Sequence, residues 1–137
     1  MEATEAPGNV IVLDLGHGRF ATYAHLKVGS VRIAPGDHVV AGQMLAQIGN
    51  SGNTKAPHLH FQISGDVEPL AGEGLPFSFE SFMLIGRVPG LAALLNGGQW
   101  RPTVAQSSRA VTGEMPLEDM IVRFVSEHRA VANERSE

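Results

Sequence analysis

Turn-forming residues cut positions 8–64 into short runs with strand character, and this punctuation constrains the fold more than any other feature. Val10-Ile11-Val12-Leu13 is β-branched and apolar. Gly16-His17-Gly18-Arg19 then forms a hairpin turn into Phe20-Ala21-Thr22-Tyr23-Ala24-His25-Leu26. Further short strands are expected at 31–33, 38–40 and 44–48, parted by Pro35-Gly36-Asp37 and Ala41-Gly42 turns. A loop over 49–57, rich in Gly, Asn and Ser, tolerates positive φ and delivers the chain to Pro57-His58-Leu59-His60-Phe61.

That last segment carries the chemistry. Side chains on a strand alternate faces, so His58 and His60 project from the same side, about 6–7 Å apart by strand rise. One imidazole can ligate a metal while the other faces the metal's open position. The plainer reading is a pair of solvated strand histidines. In the preceding strand, alternation places Tyr23 and His25 on one face and Thr22, Ala24 and Leu26 on the other.

The wider pattern favours the functional reading. Gly8-Asn9-Val10-Ile11-Val12-Leu13-Asp14, Tyr23-Ala24-His25-Leu26, Val39-Val40-Ala41-Gly42-Gln43, Gly49-Asn50-Ser51-Gly52-Asn53-Thr54 and the His-x-His segment follow one another in order. Together they resemble the second half of the lysostaphin-type (LytM-like) zinc metallopeptidases, which cut peptidoglycan cross-bridges. The resemblance spans residues 8–64 and implies a mainly β fold: an antiparallel sheet or partly open barrel of the duplicated hybrid-motif type. It implies zinc as cofactor with His60 as a ligand. By the same resemblance, His58 and His25 are catalytic, flanking the zinc-bound water and the scissile carbonyl. Tyr23, two residues from His25, is a candidate to line the substrate groove or else to pack; Asn50, Asn53 and Thr54 sit in the loop that would border the cleft, with Asn53 the candidate peptide contact, and the implied partner is a peptidoglycan peptide in the cell envelope.

One part of the family pattern is missing. The family's other two zinc ligands come from a His-x-x-x-Asp motif ahead of the first matching strand, and residues 1–9 contain neither His nor Asp. A catalytic zinc takes three protein ligands plus water, so zinc is expected to bind this chain weakly or not at all. The expectation is a truncated, inactive member of the family. The alternative is a non-catalytic module of the same fold that binds peptidoglycan or regulates another hydrolase. The acidic start, Met1-Glu2-Ala3-Thr4-Glu5, lacks the basic and apolar regions of a signal peptide, which also suggests a truncated beginning. Residues 31–50 further resemble a biotinyl/lipoyl half-motif, but the Met-Lys-Met hairpin that bears the cofactor is absent. A sugar-transport phosphocarrier shares this architecture, yet the Tyr-Ala-His and Pro-His-Leu-His-Phe segments match the peptidase better.

Composition narrows the partners. Ten basic and fourteen acidic residues give a net charge of −4, which disfavours nucleic acid. With no cysteine, a metal must be held by histidine and carboxylate. No apolar run reaches transmembrane length, so membrane insertion is not expected. Asp14, the acid nearest the histidines in the pattern, is a weak candidate for a substitute ligand. His17 reads as a turn residue and His38 as a surface strand position.

Residues 8–66 are expected to form the partial peptidase core and 67–137 a mostly irregular extension. Within the extension, 79–86 alternates like a strand and 101–112 reads as linker. Leu117, Met120, Ile121, Phe124 and Val125 recur at helical spacing, which predicts a helix over 116–129 with His128 near its C-terminal end.

Overall fold

A computed structural model describes residues 7–88, 90 and 103–124, the last group with side chains from 108 onward. It is mainly β. Contacts divide the chain into two compact units, Met1–Val39 with Met44–Phe77 and Val40–Gln43 with Ser78–Glu137.

The first unit holds an antiparallel sheet ordered β1-β2-β3, with β1 at Asn9–Asp14, β2 at Phe20–Leu26 and β3 at His60–Ser64. The expected hairpin joins β1 to β2. Its turn is closed by Leu15 N–H donating to Arg19 O at 2.9 Å and Arg19 N–H to Gly16 O at 3.1 Å. The Asp14 carboxylate accepts the Gly16 N–H at 2.7 Å, the local bonding that makes Asp a good turn residue.

Residues 31–47 form the expected turns but not the expected strands. Asp37 N–H bonds Ala34 O at 3.1 Å, and the Asp37 carboxylate accepts the Ala34 N–H at 2.8 Å. The Ser30 hydroxyl donates to Lys27 O at 2.7 Å and accepts the Gln47 N–H at 3.0 Å. Side chains therefore take backbone groups that a ladder would need, leaving isolated links such as Arg32 N–H to Leu45 O at 2.9 Å.

The core of this unit is thin. Its buried apolar residues are Ile11, Ala21, Ala24 and Leu26, and Thr22, Ser64 and His25 are buried beside them. No closed barrel forms among the described residues.

The second unit corrects the expected irregular extension. It contains a second antiparallel sheet ordered β5-β4-β6, with β4 at Phe79–Arg87, β5 at Thr103–Glu114 and β6 at Met120–Arg123. The segment read as linker is largely β5. Phe82 and Val111, paired across the sheet, are both buried. The Phe124 ring packs on Phe79 at 4.7 Å and on Phe82 at 6.1 Å between centroids.

The helix predicted over 116–129 does not form in its described part. A turn at Leu117–Met120, with Asp119 at φ 62°, leads into β6, which pairs with β4. Ile121-Val122 is β-branched, and an available strand partner overrides a helical spacing that carries little propensity of its own. Residues 125–129, His128 among them, lie outside the described residues, as does the apolar segment 91–95.

Candidate functional site

The site is built on a fault in the first sheet. Asn9 pairs with Leu26 and Ile11 with Tyr23, so Val10 alone faces both Ala24 and His25. This is a β-bulge, and His25 sits in it at φ 61°, the left-handed region that side chains with a Cβ rarely adopt. Such a conformation costs on the order of 1–3 kcal/mol and persists only where the surroundings enforce it.

The bulge changes which face His25 occupies. Tyr23 pairs with Phe61 and Ala24 with His60, so on β3 the two faces carry Phe61 and His60 respectively. Strict alternation would send His25 to the Tyr23 face. Instead its ring lies 4.7 Å from that of His58 and 6.0 Å from that of His60. Tyr23 packs on Phe61 at 4.9 Å, and Phe61 on Phe77 at 5.2 Å, so the bulge parts Tyr23 from His25. Burial pushes the Tyr23 phenol above its ordinary pKa of 10.0, which keeps it neutral.

Each histidine is oriented by its own partner. His25, buried, places Nδ1 2.9 Å from the carbonyl oxygen of Ser51. His58, exposed, places Nδ1 2.8 Å from Ala56 O and 3.1 Å from the Thr54 hydroxyl. A carbonyl can only accept, so Nδ1 carries the proton in both rings and the neutral form has its lone pair on Nε2. His60 is the reverse. The Gln62 amide nitrogen donates to Gly72 O at 2.9 Å, turning Oε1 to face His60 Nε2 at 3.4 Å. This long contact leaves Nδ1 of His60 as the nitrogen without the proton.

The other candidates lie elsewhere. Asn53 is exposed on the same 49–57 loop that holds His25 and His58. Asp14 pairs with Phe20, four residues along β2 from Ala24, the partner of His60. That puts it about 13 Å away by strand rise, with its carboxylate engaged in the hairpin turn. His17 sits in that turn at φ 54°, and His38 is exposed in the loop region. An open groove of about 800 Å³ runs beside β1, lined by Val10, Val12, Ile33, Pro35 and Val39 among others. None of the three clustered histidines lines it.

Among the described residues, no group of three His, Cys, Asp or Glu is placed to hold a metal ion. The donor set described thus does not fit a catalytic zinc with three protein ligands.

A family model for Peptidase family M23 matches residues 1–71, more than half of the chain. The chain belongs to Peptidase family M23. This family is zinc-dependent and acts on peptidoglycan peptides, and its members are typically secreted cell-wall enzymes. No solved structure matches the chain. No helix among the described residues is long and apolar enough to cross a membrane.

Sequence reasoning missed the groups that orient the rings. Gln62 was within reach, because a residue two places after His60 shares its face. Thr54 is legible as a polar residue of the loop bordering the cleft, but not as the partner of His58 Nδ1. The carbonyls of Ser51 and Ala56 leave no trace in residue type.

Proposed function

We propose that this M23 domain engages peptidoglycan peptides through His25, His58 and His60 and that the 137-residue chain does not itself hydrolyse them. The observation that carries this reading is the approach of the His58 and His60 rings to His25, set against a donor set that, among the described residues, falls short of a zinc site. Hydrolysis by this family's chemistry needs a water activated on a firmly held metal. An unprotonated Nε2 on an imidazole can accept a hydrogen bond from the N–H groups of an extended peptide, but two imidazoles alone are poor catalysts of amide cleavage. His60 is assigned as the zinc ligand should further donors be supplied. Asn53, on the exposed loop, is assigned a peptide contact. The Tyr23 ring lies with Phe61 on the other face, so we give it a packing part.

The test uses purified cell walls with and without added zinc. Release of soluble fragments is expected to stay at background in both, while the chain sediments with the walls. His25→Ala or His58→Ala should weaken that retention about tenfold, equivalent to ~1.4 kcal/mol. Zinc-dependent release that disappears in His60→Ala would overturn the reading and make the chain an active peptidase. A chain that neither releases fragments nor binds walls, yet alters the rate of another wall hydrolase, would favour a regulatory module.

A further inference from the structure

Ser51 stands at the centre of a small hydrogen-bond hub. Its hydroxyl donates to Leu26 O at 2.7 Å and accepts the Asn9 N–H at 2.9 Å. Its carbonyl accepts from His25 Nδ1 at 2.9 Å. Asn9 Nδ2 donates to the same Leu26 carbonyl at 3.2 Å, and His25 N–H donates to Pro7 O at 2.9 Å. Gly8, at φ 63°, lies so close that an added Cβ would collide with the Ser51 backbone and hydroxyl. The start of β1, the end of β2 and the 49–57 loop are therefore knotted at one residue, immediately beside the bulge that carries His25.

We propose that Ser51 is a positioning residue. Its hydroxyl pins the loop so that its carbonyl holds His25 in the left-handed bulge with the proton on Nδ1, presenting Nε2 to the face shared with His58 and His60. Neither end of the device works alone. Without the hydroxyl bonds to Asn9 and Leu26, the loop keeps its links at Ile48 and Gly49 but loses the one that fixes Ser51 itself beside the ring. Without the carbonyl, the imidazole reverts to its intrinsic preference for the proton on Nε2. That nitrogen then becomes a donor, which reverses what His25 can offer a bound group. His58 is held by a separate pair, Ala56 O and Thr54, and so serves as an internal control.

The proposal takes the histidine cluster to be the peptide-facing site, but its readout needs no peptide, so failure of wall binding would leave it standing. The experiment is long-range ¹H–¹⁵N correlation spectroscopy of the imidazoles, recorded in mildly alkaline buffer. In the unmodified chain, His25 and His58 should both show a protonated Nδ1 and an unprotonated Nε2. Ser51→Ala should shift the His25 signals towards the Nε2-protonated pattern while His58 keeps its own. Gly8→Ala, which attacks the same hub from the other side, should do likewise. Ser51→Thr, which keeps the hydroxyl, should retain the original pattern. A protonated Nε2 on His25 in the unmodified chain overturns the proposal whatever the variants do. So does an unchanged His25 in a folded Ser51→Ala chain, or a simultaneous shift of both histidines.

Discussion

The two sheets of this chain solve the same structural problem by different means. In β4–β6 the solution is apolar: Phe82 and Val111 are buried opposite one another, and Phe124 closes over Phe79 and Phe82. In β1–β3 the largest fully buried side chains are Thr22 and Ser64, and a histidine in the left-handed region is buried beside them. Side-chain–backbone bonds from Ser51, Asn9, Thr54 and Ser64 add polar links around Ile11, Ala21, Ala24 and Leu26. An apolar core tolerates rearrangement, whereas a polar hub holds its groups in one geometry or leaves them unsatisfied. The family match falls on residues 1–71, the stretch that contains the polar sheet. A sheet that presents three imidazoles needs fixed orientations more than it needs bulk.

The largest effect should come from breaking the apolar sheet. Phe82 is 2% exposed, and truncation of a buried phenylalanine to alanine costs ~3–5 kcal/mol. Phe82→Ala should therefore remove amide-exchange protection from β4, β5 and β6. If the two units are separately stable, the His25 and His58 tautomer signals should survive it. Their loss together with β4–β6 would collapse the comparison into a single cooperative unit.

The next perturbation strikes the polar sheet by steric means. A Cβ on Gly49 would run into the Lys27 backbone just past the end of β2. Gly49 O accepts the His58 N–H at 3.2 Å, and Ile48 bridges to Leu26. Gly49→Ala should cost ~1–3 kcal/mol, as overpacking of a close contact does. Hydrogen exchange should locate the loss at the β2 end and the 49–57 loop while β4–β6 stays protected. Uniform loss across both sheets would argue against local strain.

Legibility in the sequence follows the same divide. β1, β2 and their hairpin were readable because β-branched runs and glycine turns act over a few residues. The family resemblance placed His25 near His58 and His60, but strict alternation assigned it to the Tyr23 face. The bulge that moves it across depends on a backbone approach by Pro7 and Ser51, which no local pattern encodes. In the second sheet, Leu117, Met120, Ile121 and Phe124 carried helical spacing, yet residues 120–123 pair with β4. Whether such a segment becomes helix or strand depends on a partner about thirty-five residues back, beyond the reach of periodicity.

The smallest effect is a pH dependence confined to the first sheet. Burial raises the Tyr23 phenol above its ordinary pKa of 10.0, because the apolar surroundings disfavour the phenolate. A group whose pKa is higher folded than unfolded contributes stability that is fully present below the unfolded value. That contribution is lost as pH rises through the folded value. The first sheet should therefore hold steady towards pH 10 and weaken above it, as ionisation pulls the ring from Phe61. Tyr23 is the chain's one tyrosine, so phenolate absorbance titrates it directly. The absorbance midpoint should lie above the ordinary value in the folded chain and return to it in denaturant. Tyr23→Phe should flatten the alkaline loss of β1–β3 protection and leave β4–β6 unaltered. An unshifted midpoint, or an undiminished alkaline loss in Tyr23→Phe, would mean that this ring is not the group through which the polar sheet responds to base.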